Sequence, residues 1–150
     1  MSKLSSAFGD TIALRTKTFT LGGHTFKVRV PLTKEMEELQ ERISKLDPKE
    51  TKERFDKMTA VFHKEATEGV VIAEDDVIVD GRSSMELVKT IQLMENRITE
   101  YVKLLVPENG SLEDITYADI EEEWPLPVQF ELVEQIVSAI QPGYKDTRKN

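Results

Sequence analysis

Cysteine is absent from the 150 residues, which excludes disulfides, thiol nucleophiles and thiolate metal sites. Histidine is scarce: His24 and His63 are the two present, and neither has the HxxxH spacing that lets two imidazoles share a zinc ion. Both are expected at surface or boundary positions. Tryptophan occurs once, at Trp124. No apolar run approaches the roughly 20 residues that span a bilayer. The opening MSKLSSAFGDTIALRTK lacks the continuous apolar core of a signal peptide. Positive charge is also in short supply, since 20 Lys and Arg face 28 Asp and Glu for a net charge of −8. Such a balance disfavours nucleic acid and anionic membranes as partners; it suits solubility or a partner rich in basic residues. A soluble, cytoplasmic protein is expected.

Catalytic signatures are missing as well. Gly22-Gly23 lacks the GxGxxG or GxxxxGK[ST] context of a phosphate cradle, and no GxSxG nucleophile elbow occurs. Glu74-Asp75-Asp76 and Glu121-Glu122-Glu123 are the carboxylate clusters. Consecutive carboxylates on a helix point to different faces, so they read as solvated surface rather than as a cation site. No catalytic, cofactor-binding or metal-ligating residue is nominated, and a non-enzymatic protein is expected.

What the chain does contain is a mainly α architecture with an N-terminal β-hairpin, an α+β domain of about four to six helices. Residues 1–15 read as a flexible arm, 16–143 as a single globular domain and 144–150 as a flexible tail. Thr18 to Leu21 and His24 to Val30 are alternating runs around Gly22-Gly23, a pair that accepts the positive φ angles of a tight hairpin turn. A lone hairpin is marginal in water, so this one must lie on the helices. Thr33 as N-cap opens a helix to about Leu46, with Met36, Leu39, Ile43 and Leu46 on one face. Asp47-Pro48-Lys49-Glu50 opens a second, to about Thr67, with a stripe of Thr51, Phe55, Met58, Phe62 and Ala66. Val70–Ala73 and Val77–Val79, on either side of Glu74-Asp75-Asp76, suggest a second short hairpin or an extended excursion, after which Asp80-Gly81 turns the chain. Ser83-Ser84-Met85-Glu86 is a capping box for the longest helix, reaching about Val106, with Leu87, Ile91, Met94, Ile98, Tyr101 and Leu105 as its core stripe. Leu93 and Leu104 lie off that stripe, as exposed partner-site candidates.

Ser111 and Thr116 are each read as caps of short helical segments. The stretch DIEEEWPLPVQFELVEQIVSAIQPG follows, Asp119 to Gly143. Trp124 to Pro127 is expected to be extended or turning, because a proline pushes the residue before it out of helical conformation. The last helix then runs from Val128 to Ile140 and is stopped by Pro142-Gly143. Its apolar arc is too wide for one-sided burial. Trp124, Leu126, Phe130, Val133 and Val137 are therefore the main candidates for a partner surface, although for Trp124 itself a core anchor that fixes the approach to the last helix is the favoured reading.

The hairpin FTLGGHTFKVRVPLTKEMEELQERI and the module DITYADIEEEWPLPVQFELVEQIVSAI together resemble the tail assembly chaperones of long-tailed bacteriophages. The resemblance spans Thr18 to Glu41 and Met85 to Ile140, and it is one of shape and composition. It implies a non-enzymatic protein that binds the tape measure protein and helps recruit tail tube subunits. In that family the tube protein is engaged through a longer, frameshifted form, so this chain would correspond to the short form. Localisation would be the host bacterial cytoplasm, without a place in the mature virion. Self-association is left open. A structural head–tail or tail component of the virion is the alternative expectation, and an acidic inhibitor of a basic DNA-binding protein is a further one.

Overall fold

The computed structural model describes residues 3–9 and 11–141. In chain order these form α1 (Lys3–Phe8), a 3₁₀ turn (Ile12–Arg15), β1 (Thr16–Leu21), β2 (His24–Arg29), α2 (Thr33–Ser44) and α3 (Pro48–Lys64). Then come β3 (Val70–Ile72), β4 (Val77–Val79), β5 (Arg82–Ser83), α4 (Ser84–Val102), α5 (Tyr117–Glu123) and α6 (Leu126–Ile140). The mainly helical α+β class, the N-terminal hairpin and the second small hairpin all match the sequence reading. Among the described residues no helix is long and apolar enough to cross a membrane. Pro142-Gly143 and the 144–150 tail lie outside the described residues, as do Met1, Ser2 and Asp10 of the arm. Contacts divide the chain into two compact units: residues up to Gln40 with those from Ile98 onward, and Glu41–Arg97.

The first unit is built on the hairpin. Gly22 and Gly23 both take positive φ, 58° and 79°, so the two-residue turn has the twist of the strands it joins. The register pairs Phe19 with Phe26 and Leu21 with His24. The two phenyl rings stack at 5.4 Å, and the His24 ring meets Phe26 edge-on at 4.6 Å. Beyond α4 the chain does not stay helical to Val106 as expected. The Arg29 N–H donates to the Leu104 carbonyl and the Val106 N–H to that of Lys27, both at 2.8 Å. Leu105 bridges Val28, so this segment extends the sheet on the β2 side. Backbone groups that a helix would have satisfied are satisfied by the sheet instead. That pairing buries Leu104, 4% exposed, and corrects its reading as an exposed leucine.

At the foot of the hairpin, Glu35 accepts from Arg15 at 2.7 Å, from Arg29 at 2.5 Å and from the Leu32 N–H at 3.0 Å. The Met36 N–H bonds the Leu32 carbonyl, so Leu32 rather than Thr33 occupies the cap position of α2. The Leu32 N–H, with the two guanidinium groups, holds the Glu35 carboxyl below the usual range. The expected short helix at Ser111 is a turn, closed by the Glu113 N–H on the Ser111 hydroxyl and by Ile115 on the Leu112 carbonyl. Where the arm showed no period, Lys3–Phe8 is helical with no buried residue.

In the second unit, Asp47 caps α3 by accepting from the Lys49 N–H, with Pro48 in the first turn as expected. The helix ends at Lys64, short of Thr67, and Ala66 lies beyond it. Its buried residues are Thr51 and Thr59, whereas Met58 is exposed. The expected stripe holds at Ile98, Tyr101 and Leu105, which are buried, but in the first half of α4 the buried line is displaced by one residue: Leu87 is 52% exposed and Val88 is 1%. Polar pairs explain the displacement. Thr51 donates to Gln92 at 2.7 Å, and Arg54 holds Glu95 through two nitrogens at 2.9 and 2.7 Å while also meeting Glu50. A count of apolar residues alone cannot see a face whose buried members are hydrogen-bonded polar groups.

The second sheet has a third strand that the sequence reading missed. β4 pairs with β3 on one side and with the two-residue β5 on the other. Asp80 takes φ 49° and Gly81 φ 81° at the turn between β4 and β5. Gly69, at φ 81°, is crowded by the Asp80 side chain: a Cβ there would come within 2.4 Å of Asp80 Oδ1. Asp76 ties this sheet to the start of α4, accepting from the Ser83 hydroxyl and from the Val77 and Met85 N–H groups at 2.7 and 3.0 Å. The Ser83 hydroxyl, then the Met85 N–H, hold its carboxyl below the usual value.

Because the folded-state pKa values of Asp76 and Glu35 are depressed, their contribution is complete above the unfolded values near 4 and is lost as pH falls through the folded ones. Thermal melts should therefore change little between about pH 7 and about pH 5 on their account, then fall below about pH 4. In Asp76→Asn the acid-dependent fall should be shallower. An equal fall in variant and wild type would remove Asp76 from this role.

Candidate functional site

The site grows from the way α5 hands over to α6. Thr116 and Asp119 form a reciprocal capping box, with the Asp119 N–H on the Thr116 hydroxyl and the Thr116 N–H on the Asp119 carboxylate. This starts α5 one turn ahead of Ile120, which is buried. Trp124 closes α5 in an extended conformation, φ −126° and ψ 129°, as its position before Pro125 requires. The next proline behaves differently from expectation. α6 begins at Leu126, with Pro127 inside its first turn, where the missing N–H would have had no helical acceptor anyway.

Gln129 then locks the junction. It is 1% exposed, yet both ends of its amide are satisfied. Its Nε2 donates to the Trp124 carbonyl and its Oε1 accepts from the Tyr117 hydroxyl, each at 2.8 Å. Polar burial of this kind is tolerated because no hydrogen bond is left unmade. No signal in the sequence separates Gln129 from a surface glutamine.

Between this junction and the hairpin lies an apolar groove of about 570 Å³. The hairpin contributes Leu21, Gly22, His24 and Phe26; the junction contributes Trp124, Pro127, Val128, Glu131 and Leu132. A pocket of this size lies within the range of ligand sites, about 300–1,000 Å³. The convergent polar groups that orient a small molecule are few, only His24 and Glu131. One carboxylate, Glu131, is in the wall; Glu134 follows it on α6 and Glu121, Glu122 and Glu123 precede Trp124 along the chain, all exposed. A larger groove in the other unit, about 1010 Å³, mixes both charges through Asp80, Arg82 and Glu86.

The nominated partner residues do not form one surface. Trp124 is half-buried in the groove wall. Successive residues of a helix are about 100° apart, so the buried line of Gln129, Leu132, Val133 and Ile136 divides the apolar arc of α6. Val128 falls on one flank, in the groove, while Leu126 and Phe130 fall on the other, 41% and 47% exposed. Val133 is 2% exposed and belongs to the core, and Val137 is half-buried beside it. Leu93 is exposed on α4 in the other unit and Leu104 is buried, so neither joins the site. Leu21, His24, Phe26, Val128 and Glu131 were not nominated. The apolar alternation of the hairpin was the one available hint for its share. The approach of hairpin to helix is a long-range contact with no local signature.

His63 is exposed, and among the described residues no group of three His, Asp or Glu side chains is placed to hold a metal ion. Comparison with known proteins yields no matching family, no matching curated protein and no matching solved structure.

Proposed function

We propose that this protein is a non-enzymatic tail assembly chaperone of a long-tailed bacteriophage, which binds the tape measure protein in the host cytoplasm and helps recruit tail tube subunits. The observation that supports this reading is the groove at Trp124: apolar side chains left open on an acidic body. A chaperone for a long helical client needs such a surface, because an amphipathic helix docks by laying its apolar face into an apolar groove. The acidic surface keeps an otherwise sticky complex dispersed. Contact with the tube protein would come through a longer, frameshifted form.

Co-expression with a phage tape measure protein is the test. The client should move from the insoluble to the soluble fraction with wild type. Val128→Asp, at an exposed position in the groove, should abolish that rescue while melting cooperatively. A client that stays insoluble with wild type would defeat the proposal. So would finding the protein in purified virions by mass spectrometry, which would favour a structural tail component.

A further inference from the structure

We infer that the groove between the hairpin and the α5–α6 junction selects a basic amphipathic helix, with apolar residues entering the groove and flanking Lys or Arg meeting its carboxylate rim. The inference rests on the proposed role as a chaperone and names the kind of client segment that the site takes.

Size and shape come first. The floor is made of Leu21, Phe26, Trp124, Val128 and Leu132, so a partner gains by burying apolar side chains there. On the α5–α6 side of this floor the main-chain acceptors are already used. The Trp124 carbonyl is taken by Gln129, the Pro125 carbonyl by Val128 and Gln129 N–H groups, and Leu21 and His24 pair across the turn. On the α5–α6 side an extended peptide would have no ladder to join, whereas a helix satisfies its own backbone.

Charge then decides which helix. Of the titratable groups, Glu131 and His24 line the groove; Glu134 follows Glu131 on α6 and the Glu121–Glu123 run precedes Trp124 along the chain. In the wall and the chain that flanks it, five carboxylates thus accompany one histidine. Glu131 also accepts from the Gln135 side chain at 3.2 Å, which orients it without neutralising it. A docked helix with acidic flanks would meet like charge at the rim, and one with basic flanks would meet opposite charge. Specificity of this kind comes from the penalty on the wrong partner as much as from attraction to the right one.

The test uses two fluorescein-labelled peptides of about 18 residues with the same leucine face, one carrying Lys and the other Glu on the polar face. Binding is measured by anisotropy at about 50 mM and about 500 mM salt. Wild type should bind the basic peptide at least about tenfold more tightly than the acidic one at low salt. The double variant Glu131→Lys/Glu134→Lys should lose about tenfold for the basic peptide. A control with the same change in net charge far from the groove, Glu38→Lys/Glu53→Lys, should lose less than about threefold. All four positions are exposed, so folding is preserved and is checked by melting. Equal binding of both peptides, or an equal loss in the control, would overturn the inference by reducing it to general charge attraction. The co-expression assay separates the two claims. If Glu131→Lys/Glu134→Lys rescues the client as well as wild type does, the chaperone reading stands and the groove preference falls. If wild type shows the peptide preference but rescues no client, the chaperone reading falls.

Discussion

Ile136→Ala should lower the free energy of unfolding by about 3 kcal/mol, within the range of roughly 2–5 for removing a buried branched side chain. Ile136 is fully buried on α6, on the same line as Leu132 and Val133, and α6 packs on both strands of the hairpin. The loss has two parts: methyl and methylene groups return to water on unfolding with less to gain, and the space left behind closes only partly. Against a total stability of about 5–15 kcal/mol this is a large fraction. For a chain of this length it corresponds to a fall in Tm of about 10 °C. Urea titration checks it, with the midpoint expected to move and the slope to stay constant. A loss below about 1 kcal/mol would mean that α6 does not seal against the hairpin as described.

Gln129→Leu should cost about 2 kcal/mol although it keeps the side-chain volume, because it leaves the Trp124 carbonyl without its donor and removes the acceptor of the Tyr117 hydroxyl. The effect is local and can be seen locally. Trp124 is the sole tryptophan, so its fluorescence reports the α5–α6 junction without interference. Unpinning its carbonyl should shift the emission to longer wavelength in the folded protein, before any unfolding. Emission and stability both unchanged, within about 0.5 kcal/mol, would show that the leucine is accepted as plain core and that the hydrogen bonds do not fix the junction.

Legibility varied with how local the physics was. The Gly22-Gly23 turn, the Asp47-Pro48 helix start and the Thr116 cap were readable because each depends on a few adjacent residues. The end of α4 was not. Val102 to Val106 has helical composition, and only its pairing with β2 stops the helix. The rotation of the buried face of α4 from Leu87 to Val88 was equally hidden, since it depends on Thr51 and Arg54 reaching Gln92 and Glu95 about forty residues away. Leu104 and Val133 were nominated as surface on composition, and the sheet pairing and core packing removed them.

The same division runs through the groove. By itself the sequence determined that the chain is acidic, cysteine-free and mainly helical, that a tight hairpin precedes the helices, and that Trp124 sits between two helical segments. Those are properties of composition and of short-range backbone preference, which act before the chain folds. Only the tertiary structure decided that the apolar arc of α6 is divided by a buried line, with Val128 on the groove side and Leu126 and Phe130 on the other. Only it brought Leu21 and Phe26 to face Trp124 across about a hundred residues of chain. The reason is physical: burial is shared between surfaces, and a helix face acquires its inside and outside only when another element arrives to cover part of it.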